Sequence, residues 1–231
     1  MLDNNTIDTN NFSAMAQQMG MGADMTQSKQ TSQLARLKIS HSPIMGEIEV
    51  KGKKTQAAIV NGGVYRIDDL NNNNVFYSSD VKIRPYVQRF MYKKFVKPEG
   101  GRGFYVKTVM SDNLNVDLKD NMGGFNCGKP TGYVKDYVSL PDKTKALLKS
   151  IKRVRVLIGT LSASSVVDAD GNETTEITNL PFIWEIDNRD AFKTVGQPFT
   201  KLAQLKRLPV QHTISLETEE RKLPNGNSFF V

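Results

Sequence analysis

Between Lys82 and Lys107 eight cations, Lys82, Arg84, Arg89, Lys93, Lys94, Lys97, Arg102 and Lys107, interleave with Tyr86, Phe90, Tyr92, Phe95, Phe104 and Tyr105, against the single acid Glu99. This mixture suits an unpaired nucleic-acid strand, because cations neutralise phosphates while flat rings stack on bases of any sequence. The same residues also allow a plainer reading, in which several rings belong to the core and the cations form a solvated face. Two further basic groups are Lys143, Lys145, Lys149, Lys152, Arg153 and Arg155, and then Lys201, Lys206 and Arg207. Lysines on a helix can line a phosphate path, but lysine is also an ordinary exposed helix residue. The sole tryptophan, Trp184, is a further stacking candidate.

Catalytic constellations are hard to assemble. His41 and His212 have no serine or cysteine motif around them, and no nucleophile elbow or Walker-type phosphate loop is present. Gly123 to Gly128 lacks the ordered spacing and the Lys-Ser/Thr pair of a phosphate cradle, and reads as a structural loop. Asp168, Asp170, Asn172 and Glu173 resemble the start of a calcium loop, but Gly171 comes too early and no glutamate closes the loop, so the segment reads as a turn. Asp112, Asp117 and Asp120 are the carboxylates a magnesium-dependent nuclease would need, and are equally ordinary strand-end acids. A lone Cys127 excludes an internal disulfide and, with two histidines, a zinc site of the usual spacing. No cofactor or metal is implied.

The elements that must position the basic and aromatic residues come from 231 residues with a net charge of +7 and a sequence pI near 9.4, a balance that favours an anionic partner. No apolar run is long enough for a bilayer and no secretory pattern opens the chain, which predicts a reducing, cytoplasmic setting. Residues 1–33 are rich in Asn, Gln, Thr, Met and Gly and predict a flexible tail, with a short helix near Phe12 to Met21 as an option. One β-rich domain is expected over 34–231.

From Leu34 the pattern is short apolar/polar alternation broken by turns: Leu37 and Ile39, then Ile44 to Val50, a turn at Asn61-Gly62-Gly63, a polar loop at Asn71 to Asn74, and extended runs over Val75 to Tyr77, Val81 to Lys97 and Phe104 to Met110. A helix is predicted after Pro141, capped by Asp142, with Ala146, Leu147, Leu148 and Ile151 on its apolar face. It should feed a strand in which Val154, Val156 and Ile158 face away from Arg153, Arg155 and Leu157. Pro181 to Ile186 predicts a strand with Phe182 and Trp184 opposite Ile183, Asp190 to Leu208 a helix or irregular arm, and Val210 to Glu217 a further strand. A hairpin at Pro224-Asn225-Gly226 should close the series. Its second strand has barely begun at Val231, which predicts either residues beyond this point or a short edge strand.

The succession Arg153-Val154-Arg155-Val156-Leu157-Ile158-Gly159, a polar insertion, Pro181-Phe182-Ile183-Trp184-Glu185-Ile186, an arm, Leu208-Pro209-Val210-Gln211-His212 and a closing hairpin resembles the single-stranded DNA-binding proteins of tailed bacteriophages, over Lys82 to Val231. The resemblance implies a mainly β fold, an elaborated OB-like antiparallel barrel with one or two short helices, that coats unpaired DNA in replication or recombination. It also implies replication proteins as partners and no catalytic centre. The expected interface comprises Lys82, Arg84, Tyr86, Arg89, Tyr92, Lys93, Lys94, Arg102, Phe104, Tyr105, Lys107, Arg153, Arg155 and Trp184, with single-stranded DNA, or RNA, as ligand. The alternative is a phage structural or assembly protein whose β-rich body packs into a virion or tail.

Overall fold

Residues 33–50, 52–114, 120, 137–223, 226 and 228–231 are described by the computed structural model of the chain. Of the expected tail over 1–33, residues 1–32 lie outside the described residues, as does the Gly123 to Gly128 loop. The runs of alternating apolar and polar residues form β1 Ala35–Ser40, β2 Ile44–Val50, β3 Lys53–Val60, β4 Val64–Asp69, β5 Asn74–Ser78, β6 Asp80–Val96, β7 Phe104–Lys107, β8 Ile151–Ser164, β9 Val167–Asp168, β10 Ile177–Ile186, β11 Ile214–Leu216, β12 Glu220–Lys222 and β13 Ser228–Phe230. Helices α1 Asp142–Ser150, α2 Arg189–Thr194 and α3 Gly196–Gln204 complete the described elements, with single 3-10 turns at Tyr137–Ser139 and Pro209–Gln211. Leu34–Val231 is one compact unit.

Nine strands build the main sheet in the order β11-β6-β8-β10-β1-β4-β5-β9, with β7 beside the second half of β6. The hairpins β2–β3 and β12–β13 are separate two-stranded sheets. The protein is therefore mainly β, as the alternation predicted. Among the described residues, however, the main sheet runs from β11 to β9 without closing, and it is mixed, because β1 lies parallel to β10 with Leu37 opposite Trp184. Tight turns force antiparallel neighbours, but β1 and β10 are far apart in sequence and can pair in either sense.

Two local expectations need correction, and the helical reading of the arm after Asp190 is made specific. Asp142 is the first helical residue and makes no cap bond; its carboxylate instead lies 3.7 Å from Lys145 Nζ, one turn on. The arm after Asp190 is a pair of short helices, the first started by Asn188, whose side chain accepts from the N–H groups of Asp190 and Ala191. The expected strand at Val210 to Glu217 is only Ile214–Leu216, because Pro209 fixes φ and opens a 3-10 turn instead.

The sheet hangs on β6, which pairs with β8 over nearly its whole length. A proline in a central strand removes a ladder hydrogen bond, and such residues survive at bulges. Here Pro85 stands opposite Gly159, Val87 is opposite Ile158, and Tyr86 is the additional residue between them. The bulge changes the parity of the strand. Val81, Ile83 and Pro85 face the core before it, whereas Phe90 and Tyr92 do so after it. On this core face Leu37, Ile67, Leu157, Leu161, Phe182 and Trp184 pack together, with Ala191, Val195 and Phe199 of the helical arm against them. A Cβ on Gly159 would stand 2.1 Å from the carbonyl oxygen of Arg84, so the close approach of the two backbones requires glycine there. Gly159→Ala is expected to cost about 1–3 kcal/mol of stability, measured by urea unfolding, because the backbone of β6 must shift to admit the methyl group.

Candidate nucleic-acid interface

Alternation along β6, β8 and β10 divides the expected site residues between two faces of the sheet. Lys82, Arg84, Tyr86 and Arg89 share the outer face of β6 with Met91, Lys93 and Phe95, and face the same way as Thr160, Ile158, Val156, Val154 and Lys152 of β8. Lys107 and Tyr105 join them from β7, in register with Lys93 and Phe95. Tyr92, Lys94, Phe104, Arg153, Arg155 and Trp184 stand on the core face instead.

Several of these residues do structural work. Trp184 is 4% exposed and meets Tyr65 edge-on at 6.0 Å, and Tyr92 is fully buried with its hydroxyl donating to the Leu114 carbonyl. Both large rings face the core, and neither presents a surface to a base. Arg153 lies over Phe192 at 5.5 Å, and Arg155 is nearly buried, so neither lies on the strip of Lys82 and Arg84. Phe104 is exposed on the core side of β7.

On the outer face the cations fall into two groups. At the β7 end, Lys107 Nζ donates to both oxygens of Glu185 at 2.7 Å, and Lys93 and Lys152 approach Asp187 at 2.9 and 3.1 Å. Lys93 also lies 4.8 Å from the centre of the Tyr105 ring, and its side chain is only 12% exposed. Burial pushes the Asp187 carboxyl up, but hydrogen bonds and charge from Lys93 and Lys152 outweigh it and hold that carboxyl below the usual carboxylate range. Phe95 and Tyr105 form an edge-on pair at 5.2 Å, each about half exposed, near the turn that carries exposed Arg102.

The first half of β6 differs. Lys82 and Arg84 are exposed and have no acidic partner among the described residues. Tyr86 is 52% exposed, its hydroxyl anchored 3.2 Å from Thr160 Oγ1. Arg89 pairs with Asp112 at 3.0 Å, but both side chains are open to water, and such a pair is worth little and exchanges readily for another anion. One register row across the face reads Val87, Ile158, Ile183 and Arg36, so the exposed cation of β1 ends a partly apolar row about 15 Å from β6. Arg36, and Lys38 and Arg66 beside Asp68, went unnoticed in the sequence. Their signal was the alternation of Arg36 and Lys38 between Ala35, Leu37 and Ile39.

The catalytic alternatives find little geometry. Asp112 is engaged by Arg89, Asp117 lies outside the described residues, and Asp120 is buried. The Asp168 carboxylate accepts from Asn172 Nδ2 and from the N–H groups of Asn172 and Asp170, bonds that close a turn and hold its carboxyl below the usual range. His41 accepts from the Phe230 N–H. No group of three metal-ligating side chains occurs, and no helix is long and apolar enough to cross a membrane, among the described residues. No protein-family model, curated protein or solved structure matches the chain.

The Asp187 cluster has a pH signature. Its folded-state pKa lies below that of an unfolded aspartate, so its stabilisation is complete above about pH 4 and fades as the pH falls through the folded value. Asp187→Asn should cost about 1–3 kcal/mol at pH 7, since Lys93 loses a charged hydrogen-bond partner. Urea unfolding across pH should show the difference from wild type shrinking toward zero in acid; a difference independent of pH would remove Asp187 from that role.

Proposed function

We propose that this chain binds single-stranded nucleic acid, DNA in the first instance, along the outer face of β6, and acts without a catalytic centre. The observation that carries the reading is the line of Lys82, Arg84, Tyr86 and Arg89, exposed along one strand on one side, with Lys82 and Arg84 free of acidic partners among the described residues. Strand residues two apart are about 6.6 Å from each other, so Lys82, Arg84 and Tyr86 offer charge and a ring at short intervals along an extended ligand, and Arg89 follows beyond the bulge. Arg102 and the Phe95–Tyr105 pair extend the path toward the β6–β7 turn, where Lys93 and Lys107 hold the structure through Asp187 and Glu185.

The finer reading, kinship with the OB-type single-stranded DNA-binding proteins of tailed phages, belongs to the same proposal. Support comes from the long bulged pair β6–β8 and from its basic, partly aromatic surface, which is how such folds take up a strand. Replication or recombination proteins in a host cytoplasm are the partners and setting this reading entails.

Fluorescence anisotropy with labelled oligo-dT and the matching duplex tests the proposal. If Lys82, Arg84, Arg89 and Arg102 each neutralise one phosphate, the log-log salt slope for the single strand is about −3, and Arg84→Ala reduces its magnitude by about 0.7. Tyr86→Ala should weaken oligo-dT binding by ~1–3 kcal/mol without lowering the melting temperature, as expected for an exposed stacking ring. Absence of single-strand binding at low salt, or equal affinity for the duplex, would sink the reading and direct attention to self-assembly.

A further inference from the structure

Arg155 is the only buried cation among the described residues, retaining 9% exposure on the core face of β8. Its guanidinium lies against two neighbouring rings, 5.2 Å from the centre of Phe90 and 4.7 Å from that of Phe192. Gln88 Oε1 accepts from Nη1, Nε has no acceptor, and no carboxylate pairs with the group among the described residues. Of five N–H donors the described residues satisfy few, and the ring faces attract the charge without offering lone pairs. Removing an arginine from water with so little compensation is costly, and burial accordingly pushes its pKa down.

The arginine also reaches into an open space. Nη2 comes within 2.5 Å of the point a Cβ on Gly196 would occupy, so the absence of a side chain at the elbow between α2 and α3 is what admits the guanidinium. Beside it lies a cavity of about 850 Å³ lined by Arg155, Lys193, Lys201, Gln197 and Thr200, among others, and every charged residue of that lining is a cation. Lys193 and Lys201 are exposed at its mouth.

We propose that this cavity binds a phosphate group, with Arg155 as its buried anchor and Lys193 and Lys201 at the rim. Three convergent cations exceed what one carboxylate balances and suit the nearly double charge of a phosphate monoester, whose oxygens can take up the unused donors of a guanidinium fork. The size of the cavity leaves room for the remainder of the molecule that carries the phosphate. Strand alternation places Arg155 on the side of the sheet opposite Lys82 and Arg84, so this site is separate from the outer-face line and does not depend on it.

Isothermal titration calorimetry of the full chain with inorganic pyrophosphate is the direct test. Saturable binding is expected, weakened about tenfold or more by Arg155→Met, the loss of a hydrogen bond to a charged group. Because Arg155 also packs against two rings, a second variant, K193E/K201E, reverses the rim charge at exposed positions; it should weaken pyrophosphate binding at least as much while the melting temperature is unchanged. A preference for 5′-phosphorylated over unphosphorylated oligo-dT that K193E/K201E abolishes would assign the pocket to a strand end. Equal binding of the two oligonucleotides beside intact pyrophosphate binding would assign it to free phosphate compounds. The proposal is overturned if wild type shows no saturable pyrophosphate binding, or if K193E/K201E binds pyrophosphate as wild type does, whatever the oligo-dT result.

Discussion

At the bulge where β6 runs beside β8, the Arg84 carbonyl occupies the place a side chain at residue 159 would need, and Pro85 next to it has no N–H to give to the ladder. Both facts demand a local break in pairing, and the additional residue Tyr86 provides it. Everything else on the strand follows from the change of parity. A regular strand that buried Val81 and Ile83 would also turn Arg89, Met91 and Lys93 inward and put Phe90 and Tyr92 in water, since a one-residue slip exchanges the two faces. With the bulge, Tyr92 is buried, Met91 joins Val154 and Val156 in a small outer-face cluster, and Arg84, Tyr86 and Arg89 line up on one side.

That change of parity was present in the sequence, since the odd residues Val81 and Ile83 give way to the even residues Phe90 and Tyr92 across Pro85 and Tyr86. Most strands were legible for the same reason: alternation is a local property, and the turns at Asn61-Gly62-Gly63 and Asp168 to Asn172 carry their own chemistry. The path of the sheet was not legible. The parallel contact of β1 with β10 joins segments more than a hundred residues apart, and it depends on which apolar faces fit together rather than on any local signal. Residue type also misled at Trp184 and Tyr92. A ring in a basic segment suggests stacking, yet the face it occupies is fixed by its register, and both rings are on the buried side.

Composition gave the sign of the surface but not its distribution. Glu185 and Asp187, at the end of β10, reach the lysines of β6, β7 and β8 on the outer face, so the densest basic stretch of the sequence is partly neutralised from a strand that follows it by some eighty residues. Arg153 and Arg155 stand two apart on β8 and both lie over the Phe192 ring, at 5.5 and 4.7 Å, whereas Arg84 is exposed on the opposite face. Residue type is the same in all three, and the register of β6 against β8 decides which side of the sheet each one takes.

This distribution bears on how an anionic strand would be held. A cation already paired in a half-buried site must give up a good bond to take a phosphate, and the uncovered carboxylate would then face the incoming charge. Lys93 and Asp187 are in that position, whereas Arg89 and Asp112 are open to water and lose little on exchange. Lys82 and Arg84 have nothing to exchange among the described residues. On electrostatic grounds, then, the proposed path is strongest along the first half of β6. The hairpin end contributes its rings and Arg102, and its lysines serve to hold β6, β7 and β8 to the end of β10.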